Sequence, residues 1–133
     1  MSALGLLLSL FLQMPAMKTL AKGDVSNIDE ARQVVVRSSE EWAKLWQMHS
    51  PDHERPAVDF ARDMVVAVFL GSRPTAGYAV EIVGARETQG TLVVQYRIRA
   101  PGRDAITAQV LTAPYQLVLV PRHAGDVKFD KVP

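Results

Sequence analysis

The stretch Met64–Gly71, "MVVAVFLG", is apolar at every position. Successive side chains of a strand point to opposite faces, so such a run has no side it can turn to water. It predicts a central strand covered from both sides, placed in the middle of a sheet and not at an edge. Any fold for this chain must supply two apolar layers to sandwich that strand.

The rest of the chain offers the material. "RQVVVRS" (Arg32–Ser38) reads as a strand, with Val34 and Val36 on one face and Gln33, Val35 and Arg37 on the other. The period then changes: Ser38 followed by Glu41 fits a capping box, and Trp42, Leu45 and Trp46 share one helical stripe, predicting a short helix from Ser39 to about Met48 that Pro51 ends. "GYAVEIVGARE" (Gly77–Glu87) and "TLVVQYRIRA" (Thr91–Ala100) read as a hairpin joined by a three-residue connection, Thr88–Gly90, and flanking the central strand. "YQLVLVP" (Tyr115–Pro121) predicts a further strand, and "DVKFDKV" (Asp126–Val132) a short terminal one. The connections lack the helical pattern a parallel crossover needs. The expected fold class is therefore α+β, mainly β, an antiparallel sheet arranged as a sandwich or barrel with one short helix near the N-terminus.

Composition narrows what such a domain does. The chain has 133 residues, enough for one core, and its 15 basic and 14 acidic side chains are interspersed to a net charge of +1. No field of one sign results, which speaks against nucleic acid as a partner. The absence of cysteine removes thiolate chemistry and zinc–sulfur sites. From Ala3 to Leu12, "ALGLLLSLFL" is too short to span a bilayer but suits the apolar core of a secretory signal, although Met1–Ala3 lacks the usual basic residue. A signal over residues 1–21, cut after Ala21 or, less favourably, after Ala16, places the protein outside the cytoplasm, in the periplasm, envelope or medium, with no stable transmembrane segment.

Chemistry-bearing residues form no set. His49 and His53 are four apart, but Pro51 between them predicts a solvated loop and not a metal pair. His123 falls in a polar turn expected to face water. Ser38, Ser39, Ser50 and Ser72 lack the strained setting of a nucleophile, and Glu81 reads as an outward charge on a half-exposed strand. Trp42 and Trp46 read as core. The expectation is a domain without catalytic residues, metal or cofactor.

That leaves "LGSRPTAGYAVEI" (Leu70–Ile82). Arg73, Pro74, Thr75, Ala76 and Gly77 have the ingredients of a tight connection, with Pro presetting φ and Gly free to take positive φ. They equally suit a stiff binding loop with exposed backbone. Arg73 and Thr75 are expected near the exposed tip, and the Tyr78 ring is expected in the core with Val80 and Ile82.

"VDFARDMVVAVFLGSRPTAGYAVEI" (Val58–Ile82), with "EWAKLW" (Glu41–Trp46) and "PYQLVLVP" (Pro114–Pro121), resembles the PrcB C-terminal domain family, named for a subunit of a bacterial subtilisin-like protease complex. Ala76 stands where that family usually has a second glycine. The resemblance implies a single domain over residues 22–133, outside the cytoplasm. It also implies a protein partner, a subtilisin-like protease, whose complex this chain helps assemble or stabilise through the loop Arg73–Tyr78. A looser resemblance links Pro74, Thr75, Gly77 and Tyr78 to the chagasin-like inhibitors of cysteine proteases, and a generic envelope ligand-binding module is the remaining alternative.

Overall fold

The computed structural model describes residues 16–133, so the apolar run Ala3–Leu12 lies outside the described residues. The all-apolar run forms β3 (Asp63–Phe69), and Met64 to Phe69 are at most 1% exposed. Its neighbours are β2 (Arg32–Val36) and β6 (Tyr115–Pro121), with β1 (Lys18–Gly23) beyond β6, all antiparallel, in the order β1-β6-β3-β2. A second sheet has the order β4-β5-β7, from β4 (Ala79–Thr88), β5 (Thr91–Arg99) and β7 (Val127–Lys131).

The two faces of β3 have different covers. Met64, Val66 and Val68 pack with Val118 and Val120 of β6 against Val80, Ile82, Leu92, Val94 and Tyr96 of the second sheet. Val65, Ala67 and Phe69, with Leu117, meet Trp42, Leu45 and Trp46 of helix α1 (Ser39–His49). The molecule is thus three-layered: helix, four-stranded sheet, three-stranded sheet. The fold class is the expected one.

Three details differ from expectation. The hairpin β4–β5 does not flank β3 within its sheet; it lies across its face, because its dry stripe is what the Met64-Val66-Val68 face needs for cover, while β2 and β6 take the edges. β7 pairs with β5 in parallel. Its crossover is β6 in the other sheet, so no helix is required. And β1 occupies Lys18–Gly23, where a leader's end was expected; the boundary at residue 21 falls inside this strand. "KTLAKG" is short, polar and an edge, so periodicity carries little signal there.

Local details obey capping and turn chemistry. Ser38 Oγ accepts from the Glu41 N–H at 3.2 Å, while the Glu41 carboxylate reaches back to the Arg37 N–H at 2.8 Å, one residue before the cap. The β4–β5 connection is tighter than expected: Thr88 pairs with Thr91, and the turn is Gln89–Gly90, at φ +52° and +83°. Both values are left-handed, as a type I′ hairpin requires.

Candidate functional site

Strand register gathers three connections at one end of the sandwich. Phe69 and Gly23 both pair with Tyr115, so the segments leaving β3 and β1 and the one entering β6 emerge together. The Ser72 N–H bonds Asp29 O at 2.9 Å, the Leu70 N–H bonds Pro114 O at 2.9 Å, and the Ala113 N–H bonds Asp24 O at 2.7 Å. Gly71 locks the junction at φ +82°, where an added Cβ would lie 2.7 Å from Ala31 N. Only glycine fits there.

Within this apex the Arg73–Tyr78 loop is stapled to residues 100–113. Arg73 and Thr112 exchange both backbone hydrogen bonds, at 2.7 and 2.9 Å. The Ala76 N–H donates to Ala108 O at 3.0 Å, and the Thr112 hydroxyl donates to Thr75 O at 2.9 Å. The Thr75 hydroxyl donates to Ala76 O at 2.9 Å. Gly77, at φ +97°, presses on Pro101 and Thr107 so closely that a Cβ would stand 3.0 and 3.1 Å from them.

Two expectations for this loop need correction. Arg73 and Thr75 are half-buried and not at a free tip, because the loop lies along a second segment; Pro74 and Gly77 are exposed and Ala76 half-buried. Tyr78 is half-buried and not a core residue. It precedes β4, and the Arg73 guanidinium lies over its ring at 5.7 Å from the centroid. Cation–π stacking gives the ring a partner outside the core.

The segment that holds the loop carries the apolar surface. Ile106 is 101% exposed, Leu111 76% and Val110 51%. They lie in the connection "PGRDAITAQVLTAP" (Pro101–Pro114), where three large aliphatic residues in a polar setting are a sequence signal in their own right.

A second feature overturns an expectation. His49 is not in a solvated loop; it is the last residue of α1 and 2% exposed. It continues the Trp42-Leu45-Trp46 stripe by three residues, a spacing that Pro51 obscured by suggesting an earlier helix end. Its ring meets Trp46, Phe69 and Tyr115, and its Nδ1 lies 2.7 Å from Ser26 Oγ. Ser26 Oγ also accepts the Ile28 N–H at 3.0 Å, so the hydroxyl is engaged with both the imidazole and the backbone. Burial above all, and then the charge of His53, lowers its pKa from 6.5 to about 4. The pair resembles a serine and its base, but both residues are over nine-tenths buried and the serine oxygen is engaged on two sides. It acts as a lock between the helix and the segment behind the apex, where the Ser26 N–H also bonds Ala113 O at 3.0 Å.

Trp46, His49, His53, Tyr115, Leu20 and Ala21 line a cleft of about 280 Å³ beside this lock. Burial, followed by Asp24, raises the Tyr115 pKa. His53 bonds Ser50 Oγ at 2.8 Å. His123 donates from Nε2 to Gly90 O at 3.0 Å and lies 3.5 Å from Glu87, so it braces the hairpin turn and does not face open water. Glu81 sits as expected, half-exposed and paired with Arg97 and Arg99 at 3.5 Å each. Among the described residues no group of three or more His, Cys, Asp or Glu converges on a point, and no helix is long and apolar enough to cross a membrane.

The geometry defines a two-sheet β domain whose distinguishing surface is a rigid loop pair. Residues 64–121 match the model of the PrcB C-terminal family, from the start of β3 through the stapled loops to the end of β6. The match supports the resemblance drawn from Val58–Ile82 and Pro114–Pro121. No curated protein and no solved structure is matched.

Proposed function

We propose that this chain is a non-catalytic, exported protein-binding domain that assists the assembly or stability of a protease complex. In this reading the Arg73–Tyr78 loop makes the contact. One observation carries it: the family match includes both members of the loop pair, Arg73–Tyr78 and residues 100–113, and excludes β1, β2 and α1. A loop pre-set by backbone bonds loses little entropy on binding, and exposed aliphatic side chains beside it supply apolar area.

The test is capture from the native host, followed by titration of the captured protease with the intact chain and with the Arg73→Ala, Thr75→Ala double variant. The reading expects a subtilisin-like protease whose recovery rises with the chain and whose active site stays free. Potent block of a papain-like protease, with no effect on a subtilisin-like one, would replace it with the inhibitor reading. Export is tested by sequencing the mature N-terminus. A cut after Ala16 keeps all of β1, whose Thr19 hydroxyl accepts the Gln116 amide at 2.9 Å, so Met17 is the expected first residue. Recovery of an intact Met1 from a cytoplasmic fraction would overturn export.

A further inference from the structure

Both sheets protect their edges. β1 carries Lys18 and Lys22 and a bulge between Thr19 and Ala21. β4 is bulged between Ile82 and Gly84, and its Ile82 N–H is taken by the Gln116 side chain. β7 presents Lys128, Asp130 and Lys131, and β2 is short and bounded by Arg32 and Arg37. Bulges, charges and brevity are how proteins keep edges from pairing with other chains.

Residues 105–111 have none of these devices. They contain no helix, turn or bend, and their only charged neighbours are Arg103 and Asp104 just before them. One side runs antiparallel to Arg73–Ala76 through the Thr112 and Ala108 bonds. Main-chain groups alternate sides along an extended chain, so if Thr112 and Ala108 face the Arg73–Ala76 loop, Gln109 and Leu111 face away from it. Among the described residues, the N–H groups of Gln109 and Leu111 have no hydrogen-bond partner. Ile106, Ala108, Val110 and Leu111 are all exposed, and on an extended chain the first three share one face as an apolar ridge while Leu111 falls on the other.

We infer that the segment Ile106–Leu111 is a strand-addition site: an extended segment of the protein partner pairs with Gln109 and Leu111 and sets alternate apolar side chains against the Ile106–Val110 ridge. Main-chain pairing would supply affinity and the ridge selectivity. Charge specifies the occupant further. The exposed Arg103, just before the segment, has no carboxylate partner among the described ion pairs, so an acidic residue at that end of the incoming segment finds an unpaired guanidinium. The inference rests on the proposed protein-binding reading and adds its mode and the chemistry of the recognised segment.

The probe is a short capped peptide of alternating valine and threonine with a glutamate at each end, titrated into the full chain. Amide exchange should slow about tenfold or more at Gln109 and Leu111, and not along β2, β4 or β7. N-methylation of one alternate set of peptide amides should abolish this, while N-methylation of the other set leaves it. Gln109→Pro, which removes an outward N–H outside both ladders, should weaken binding about tenfold with an unchanged melt. Protection at a sheet edge, indifference to both N-methylations, or a concentration-dependent dimer abolished by Gln109→Pro would each overturn the inference. A captured protease that binds the Gln109→Pro chain normally but not the Arg73→Ala, Thr75→Ala chain would sink strand addition and leave the proposed function standing. Peptide pairing without any protease partner would do the reverse.

Discussion

Two irregular segments of this protein are held in place by opposite means. Residues 51–58, after the helix, are pinned by side chains: the Trp42 indole N–H donates to Pro56 O at 2.8 Å and the Trp46 indole N–H to His53 O at 2.9 Å. The apex loops are pinned by their own backbones, Arg73 to Thr112 and Ala76 to Ala108. In the first case the large side chains are consumed by the fold and are buried. In the second they remain free, and Ile106 and Leu111 stand in solvent. A loop held by its main chain keeps its side chains available for a partner.

The comparison breaks most visibly at the tryptophans. Trp42→Ala removes a buried indole from between helix and sheet and deletes the anchor at Pro56, and should cost about 4 kcal/mol in chemical denaturation. Limited proteolysis should then cut first within residues 51–58, while the apex loops resist. Cleavage at residues 100–113 first would mean that the backbone staple is the weaker restraint.

The His49 lock comes next in size. The unfolded imidazole takes a proton near 6.5, the folded one only near 4. Between those values the unfolded state binds more protons, so this contribution is whole above pH 6.5 and declines as the pH falls through the window, by roughly 3 kcal/mol in all. His49→Leu should be less stable at pH 7, with Ser26 deprived of its partner, and should lose this part of the acid dependence. Parallel stability-versus-pH curves for the two proteins would exclude His49 as the titrating group.

These two predictions concern residues of unequal legibility. The core of β3 and the Trp42-Leu45-Trp46 stripe were readable because burial imposes a period on sequence, and the period of a two-faced apolar run has few solutions. His49 belonged to the same stripe, but Pro51 suggested an earlier end to the helix. The Arg73–Tyr78 loop was recognisable by its glycine and proline, whereas its partner at Ala108 and Thr112 was not, since backbone pairing leaves no residue-type signature. The hairpin's placement across the sheet was invisible for a related reason: a dry stripe states that it needs cover without saying which face provides it.

The apex itself should give a smaller stability effect and a larger functional one. Arg73→Ala with Thr75→Ala removes the cation–π contact and one hydroxyl bond but keeps every main-chain staple, so the melt should fall by only about 1 kcal/mol. Association with the captured protease should weaken by about 2 kcal/mol or more, the scale of an interface hot spot. Calorimetric titration and a thermal melt on the same preparation separate the two. A large loss of stability with unchanged affinity would make this loop a structural turn.

The smallest effect is expected at the far end of the hairpin, and it serves as the control for the comparison. Gln89 holds φ +52° at the turn, a left-handed conformation that costs a residue with an ordinary side chain and suits asparagine better. Gly90 beside it already has the residue type its φ of +83° favours, and no atom lies within 4 Å of where its Cβ would be. Gln89→Asn should therefore relieve strain without disturbing a contact and raise stability by about 0.5 kcal/mol, visible as a modest shift in a denaturant midpoint at constant slope. The turn caps strands that begin at the apex, but no loop-pair residue touches it, so affinity for the partner should not change. If Gln89→Asn alters binding as well, the two ends of the sandwich are coupled through β4 and β5, and the apex loops are not the independent, backbone-held unit that their hydrogen bonds describe.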